Sequence, residues 1–269
     1  MKSNLIFSII FFLSFQICYG QQNVNYDESL VPKYSLPNVL VSNSGETINN
    51  RQKWETIRRP EILEIFSSQM YGRTPTEEIP VTYELLTENK GALDGKATLR
   101  QVKMTFSKNG KAVNALLLLM LPNHVKGKAP IFVGYNFKGN HSTLNDSSII
   151  YSDNFKLVRD STHQDWIRGV QSGRWDYEQI IKRGYAVATM CYHDIFPDKE
   201  GFKDQSIAAL FSDYEDSQDL GDNWEAIGAW AWGSSRIVDY LETLPEIDIK
   251  KIALLGHSRQ GKAALWAGA

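Results

Sequence analysis

The chain has 269 residues, 42% of them hydrophobic and 22% charged, enough for one sizeable core and too balanced for a disordered or collagen-like polypeptide. Lysine and arginine total 29 against 31 acidic residues, a net charge of −2, so no basic surplus points to nucleic acid and no acidic block to a solvated tail. At the N-terminus, Met1-Lys2-Ser3-Asn4 precedes an apolar run over residues 5–17 and the small residues Cys18 and Gly20. That run falls short of the ~20 residues needed to cross a bilayer as a helix. It predicts a signal peptide over residues 1–20, hence an exported protein, periplasmic or secreted, with no membrane attachment after cleavage. Cleavage leaves 28 basic residues (29 less Lys2) against 31 acidic ones, and Cys191 as the one cysteine, so no internal disulfide can form.

Residues 21–50 are polar and Asn-rich, with Pro32 and Pro37, and read as an extended lead-in to a domain over residues 51–269. Pro60 opens a helix carrying Ile62, Leu63, Ile65, Phe66 and Met70 on one side, and Gly72 stops it. Strand signals follow at residues 97–106, at 113–121 before Pro122, at 131–135 after Pro130, and at 184–190. Asp222, with Glu225 three residues on, can cap a helix in which Ile227, Trp230, Ala231, Ile237, Val238 and Leu241 recur at helical spacing until Pro245. A strand over residues 251–255 then runs directly into a glycine-flanked turn and an Ala-rich helix. Strand and helix alternate through the second half, which predicts an α/β fold with a mostly parallel sheet and helices on both faces.

Function rests mainly on residues 254–266. A serine on a sharp turn between a buried strand and a helix has its hydroxyl pushed out at the carboxyl edge of the sheet, where the next helix aims its N-terminal amides. Those are the requirements of acyl transfer. The turn departs from G-x-S-x-G, since Gln occupies position 260 and the second glycine stands at 261. Two readings of Ser258 stand side by side: an exposed nucleophile, or a plain N-cap of the helix. Arg259 and Lys262 lie in the first helical turn, where a cation opposes the macrodipole, so either both point to water or one of them serves a developing oxyanion.

Taken together, Gly256-His257-Ser258-Arg259-Gln260-Gly261-Lys262, the stretch Trp54-Glu55-Thr56-Ile57-Arg58-Arg59-Pro60-Glu61-Ile62 with Tyr71-Gly72, Asn136-Phe137-Lys138-Gly139-Asn140-His141, and Ala226-Ile227-Gly228-Ala229-Trp230-Ala231-Trp232-Gly233 resemble the glucuronoyl esterases, carbohydrate esterase family 15, and especially their bacterial members. The resemblance implies an α/β-hydrolase fold, a three-layer sandwich with a mostly parallel sheet. It also implies hydrolysis of esters joining the glucuronic acid branches of xylan to lignin alcohols, without cofactor or metal. Ser258 would be the nucleophile, Arg259 the side-chain oxyanion stabiliser, and Lys262 a ligand for hydroxyls of the uronic sugar. The partners implied are plant cell-wall polysaccharides, glucuronoxylan and lignin–carbohydrate esters.

A hydrolase of this fold presents nucleophile, acid and histidine in that order, yet all five histidines, at 124, 141, 163, 193 and 257, precede Ser258. The chain therefore reads as the N-terminal part of a longer protein, incomplete at the C-terminus and expected to be inactive or poorly soluble by itself. His257 should diverge from Ser258 across the turn, and His141 and His193 read as satisfied loop histidines. The loop over residues 136–141 is a candidate for a second oxyanion amide or an ordinary turn. Tyr192-His193-Asp194 with Asp198 reads as turn and cap residues, with no catalytic metal expected. Among Trp166, Trp175, Trp224, Trp230 and Trp232, sugar platforms are conceivable, but Trp230 reads as core. The alternatives to a uronate esterase are an acetyl xylan esterase using the same serine and a non-catalytic carbohydrate-binding remnant of the fold.

Overall fold

The computed structural model describes residues 26–160, 162–211 and 223–269. The signal peptide and the Asp222 cap predicted from sequence lie outside them. Two compact units are distinguished, Met1–Ile48 and Asn49–Ala269. In the first, Asp27 caps a single 3-10 turn at Glu28–Leu30, and a bridge between Val41 and Thr47 closes a tight loop. Among the described residues no helix is long and apolar enough to cross a membrane.

The second unit opens with a helical stretch over residues 51–71, whose central α-helix is Arg59–Phe66 (α1). Its start corrects the expectation that Pro60 begins the helix. Asn50 caps the chain at Arg51, and a π-helical segment at Trp54–Arg58 carries it into α1. Pro60 has no N–H to donate, and the widened turn ahead of it, in which Arg59 N–H reaches Trp54 O, takes it without a break. Gly72, at φ 79°, ends the stretch as expected.

Six strands form one sheet in the order β1-β2-β3-β5-β4-β6: Val81–Ala92 (β1), Ala97–Lys108 (β2), Lys111–Pro122 (β3), Ala129–Asn136 (β4), Ala186–Cys191 (β5) and Ile247–Leu255 (β6). The sheet is mixed, which corrects the mostly parallel expectation. β1 to β3 are joined by short turns that only antiparallel neighbours can use, and β3 also meets β5 antiparallel; β4 pairs in parallel with β5 and β6. β1 carried no strand signal because it is an edge strand, exposed over most of its length, and so lacks the apolar alternation a half-buried strand shows.

Central strands bury both faces. In β3, Leu117, Leu119 and Leu121 join a cluster with Trp230, Ile237 and Leu241 of the long helix Ala226–Glu242. The alternating Leu118 and Met120 join Tyr177 and Ile181 of the short helix Tyr177–Lys182. In chain order the helices after α1 are Asp153–Val158 (α2), Tyr177–Lys182 (α3), Ala226–Glu242 (α4) and Arg259–Ala267 (α5). α4 and α5 pack on each other and on β4 and β6, bringing the β6–α5 turn to the carboxyl ends of the parallel strands.

Candidate active site

The β6–α5 turn is tight for a steric reason. A Cβ on Gly256 would sit 2.1 Å from Gln260 O and 2.4 Å from Gln260 C, so the strand's exit and the helix's first turn touch backbone to backbone. A Cβ on Gly261 would meet Gly256 O at 3.4 Å, an ordinary contact. Position 256 is thus the one that demands glycine, and the turn forms although Gln260 replaces the usual second glycine.

Between them Ser258 adopts φ 56° and ψ −126°, a region that a residue with a Cβ rarely enters. Ser258 occupies the N-cap position of α5, but its side chain makes no capping hydrogen bond. It is exposed and borders a cavity of about 380 Å³ together with Phe137, Lys138, Arg159, Tyr192, Asp198 and Arg259. The hydroxyl therefore faces a cavity at the tip of a strand and the start of a helix, where amide donors and the positive dipole end favour a developing negative charge.

Arg259 does not point freely to water: its Nη1 donates to Oδ2 of Asp198, with the guanidinium about half exposed. An ion pair so placed adds only ~0–1 kcal/mol to stability. On another wall of the cavity, Lys138 Nζ lies 2.6 Å from Oδ1 of the buried Asp165, and Arg159 Nε lies 3.3 Å from its Oδ2. Burial, the largest single influence, acts to raise the Asp165 carboxyl, but Lys138, His163 and Arg159 together outweigh it and the group ends below the usual carboxylate range. Lys262, one helical turn on, is exposed and lies outside the cavity lining.

The histidines occupy other roles. His141 is fully buried and bonds through Nε2 to Asp165 O at 2.9 Å; His193 is fully buried and accepts at Nδ1 from the Asp198 N–H at 2.9 Å. Burial, with the charges of Arg159 and Arg259, pushes His193 down to about 3, so it stays neutral. His163 caps the turn at Gln164–Trp166, and His124 is exposed away from this cavity. His257 borders the cavity edge-on to Phe137, ring centroids 6.4 Å apart. Of the loop over residues 136–141, Phe137 and Lys138 line the cavity, while Asn136 donates to Asn140 Oδ1 at 2.7 Å and tightens the turn. Trp230 is buried, its indole N–H donating to Phe196 O at 3.1 Å. Asp198 and Asp165, which order the cations of this cavity, were not singled out as site residues by sequence. Nothing in the local pattern joins Asp198 to a partner 61 positions away.

A family model described as glucuronyl esterase, fungi, matches residues 170–269. Carbohydrate esterase MZ0003, from an unknown prokaryotic organism, is 40% identical over 263 residues, covering 93% of this chain and 59% of that protein. A solved glucuronoyl esterase from Solibacter usitatus superposes with a TM-score of 0.81 at 38% identity, covering 90% of this chain and 62% of that one. Over these spans the chain is similar in sequence and in fold to the glucuronoyl esterases. A 4-O-methyl-glucuronoyl methylesterase from Schizophyllum commune is more distant, 23% identical over 87% of this chain and 46% of its own length. The chain thus spans less than two thirds of each of these relatives. Of the glycine-flanked turn, His257, Ser258 and Arg259 border the cavity.

Proposed function

We propose that this chain carries the nucleophile end of a serine carboxylic ester hydrolase that cleaves esters of glucuronic or 4-O-methylglucuronic acid on xylan, as in lignin–carbohydrate ester bonds. The observation that carries the reading is Ser258 itself: φ 56°, no capping bond, and an exposed position on a cavity beside a guanidinium. The names of the relatives, a carbohydrate esterase and a 4-O-methyl-glucuronoyl methylesterase, support the substrate class. Ser258 Oγ attacks the ester carbonyl. The tetrahedral oxyanion is met by backbone amides at the start of α5 and by Arg259, and Lys262 binds hydroxyls of the uronic sugar. The alcohol leaves, and water then releases the uronate from Ser258. The general base and its acid partner are read as lying outside the described residues: His141, His163 and His193 are engaged with the backbone, His124 is not among the cavity's lining residues, and His257, which borders the cavity, packs edge-on against Phe137. The protein is exported, its substrate is plant cell-wall polysaccharide, and no metal or organic cofactor takes part.

The domain is read as the three-layer sandwich of the α/β-hydrolases, incomplete beyond β6. In support, Ile249 and Leu255 on β6 and Leu265 on α5 are 46%, 41% and 71% exposed, apolar surface that an edge strand and its helix ordinarily cover. The test uses the full-length protein: release of alcohol from benzyl glucuronate against release of acetate from acetylated xylan, with Ser258→Ala as control. Alcohol release lost in the variant is the expected result. A preference for acetate overturns the uronate assignment, and full activity in Ser258→Ala overturns the nucleophile.

A further inference from the structure

Among the described residues Asp198 is the sole acid lining the cavity beside Ser258, and its carboxylate engages Arg259. The same Oδ2 accepts from the Tyr192 hydroxyl at 3.0 Å. The backbone N–H of Asp198 donates to His193 Nδ1 at 2.9 Å, an acceptor that remains available because His193 stays neutral. Behind these contacts the support becomes rigid. The rings of Tyr192 and His193 lie 3.9 Å apart, Tyr192 meets Trp230 edge-on at 5.0 Å, and His193 and Trp230 are both buried. A chain of contacts therefore runs from the core through Tyr192 and Asp198 to a guanidinium that is itself half exposed.

We propose that Asp198 is a positioning residue that holds the Arg259 guanidinium beside Ser258, ready for the oxyanion; this rests on the reading of Arg259 as an oxyanion donor. Left alone, an arginine at the first position of a helix is repelled by the positive dipole end and free to sample many rotamers in water. A donor stabilises a transition state only if it is aimed before charge develops. The arrangement leaves donors for that purpose, since the guanidinium carries five N–H groups and Asp198 uses Nη1. The exposed ion pair itself contributes little to stability, but loss of Asp198 also takes the acceptor from the buried Tyr192 hydroxyl, so a melting cost is expected that does not depend on Arg259, beside a rate cost that does.

The experiment is a double-mutant cycle in the full-length protein, with Asp198→Ala, Asp198→Asn, Arg259→Ala and the pair Asp198→Ala/Arg259→Ala, each assayed on benzyl glucuronate and melted. Asp198→Ala should lower kcat ~10-fold, a fraction of the ~10²-fold expected for loss of the donor itself, with KM nearly unchanged and with a drop in melting temperature, from the Tyr192 hydroxyl, that is the same in the Arg259→Ala background. Asp198→Asn, which keeps an acceptor oxygen, should recover part of that loss. In the Arg259→Ala background, Asp198→Ala should cost nothing further in rate. An equal loss of rate in both backgrounds overturns the proposal, since Asp198 would then act independently of Arg259. So does an Asp198→Ala enzyme at wild-type rate when Arg259→Ala is impaired, and that result leaves the esterase reading intact. A wild-type rate in Arg259→Ala removes the oxyanion role and the positioning role with it.

Discussion

Strain at Ser258 yields a measurable quantity that does not depend on turnover. At φ 56° and ψ −126° the serine Cβ is crowded by its own backbone, and a residue held in such a region costs about 1–3 kcal/mol. Ser258→Ala and Ser258→Gly both delete the hydroxyl, but only the glycine deletes the Cβ. Glycine's extra freedom in the unfolded chain acts in the opposite direction by about 0.4–1 kcal/mol. The balance leaves Ser258→Gly more stable than Ser258→Ala by about 0.5–2 kcal/mol, at about 2–4 °C in melting temperature for each kcal/mol in a chain of this size. Urea and thermal unfolding of the two full-length variants provide the comparison, with equal m-values as the condition for reading the midpoints as stability. If the alanine variant equals or exceeds the glycine variant, position 258 stores no backbone strain, and the exposed-nucleophile geometry argued from it fails.

Other outcomes follow from the same structure. Gly256→Ala places a methyl 2.1 Å from Gln260 O, so the turn must shift; stability should fall by about 1–3 kcal/mol, and a neutral melt would contradict the contact. Trp230→Ala empties a fully packed site and orphans Phe196 O, a loss of about 3–5 kcal/mol by denaturant unfolding; a loss below about 1 kcal/mol would place the indole outside the core. Burial pushes the Asp194 carboxyl up to about 7 from the ordinary 3.8, against the bonds from Ser152 and Leu116. The folded state then binds more protons than the unfolded one between those values, so stability contributed by this group falls as pH rises through the window. Asp194→Asn should therefore gain on the wild type from acid to neutral pH, and an advantage that does not change with pH would refute the shift. His193 has the opposite sign: pushed down to about 3 from 6.5, it binds its proton in the unfolded chain first, and stability falls as pH drops below 6.5. His193→Asn should flatten that acid limb in unfolding curves.

What could be read along the chain was whatever depends on neighbours in sequence. β2 to β6 are short apolar runs bounded by Pro, Gly or turn residues, and α4 and α5 carry helical spacing, so local pattern sufficed to place them within a few residues. The β6–α5 turn was legible for the same reason: strand, glycine, serine and helix lie within a dozen residues. β1 escaped because an exposed edge strand has no buried face to impose alternation, and the helical stretch over residues 51–71 was started too late because Pro60 suggests a beginning where a π-helical turn absorbs it. The strand directions of the first half depended on hairpin lengths more than on composition.

The charge arrangement of the cavity was legible only as a question. Two cations at the start of α5, unaccompanied by any acid in the turn, are unfavourable by local rules, and local rules do not say where relief comes from. The fold supplies it for Arg259 through Asp198, brought in on the loop that follows β5, a parallel strand whose carboxyl end opens on the same edge as β6. Asp165 does the same for Lys138 and Arg159 from the segment after α2. Parallel strands make this possible because their carboxyl ends, and the loops leaving them, converge on one edge, whereas the antiparallel β1–β3 meander alternates its loops between the two edges and contributes none to this cavity. A violated local preference in a sequence is therefore best read as a pointer to a long-range partner: the displaced cation at 259 identified the site, and the tertiary structure identified the carboxylate that makes the displacement tolerable.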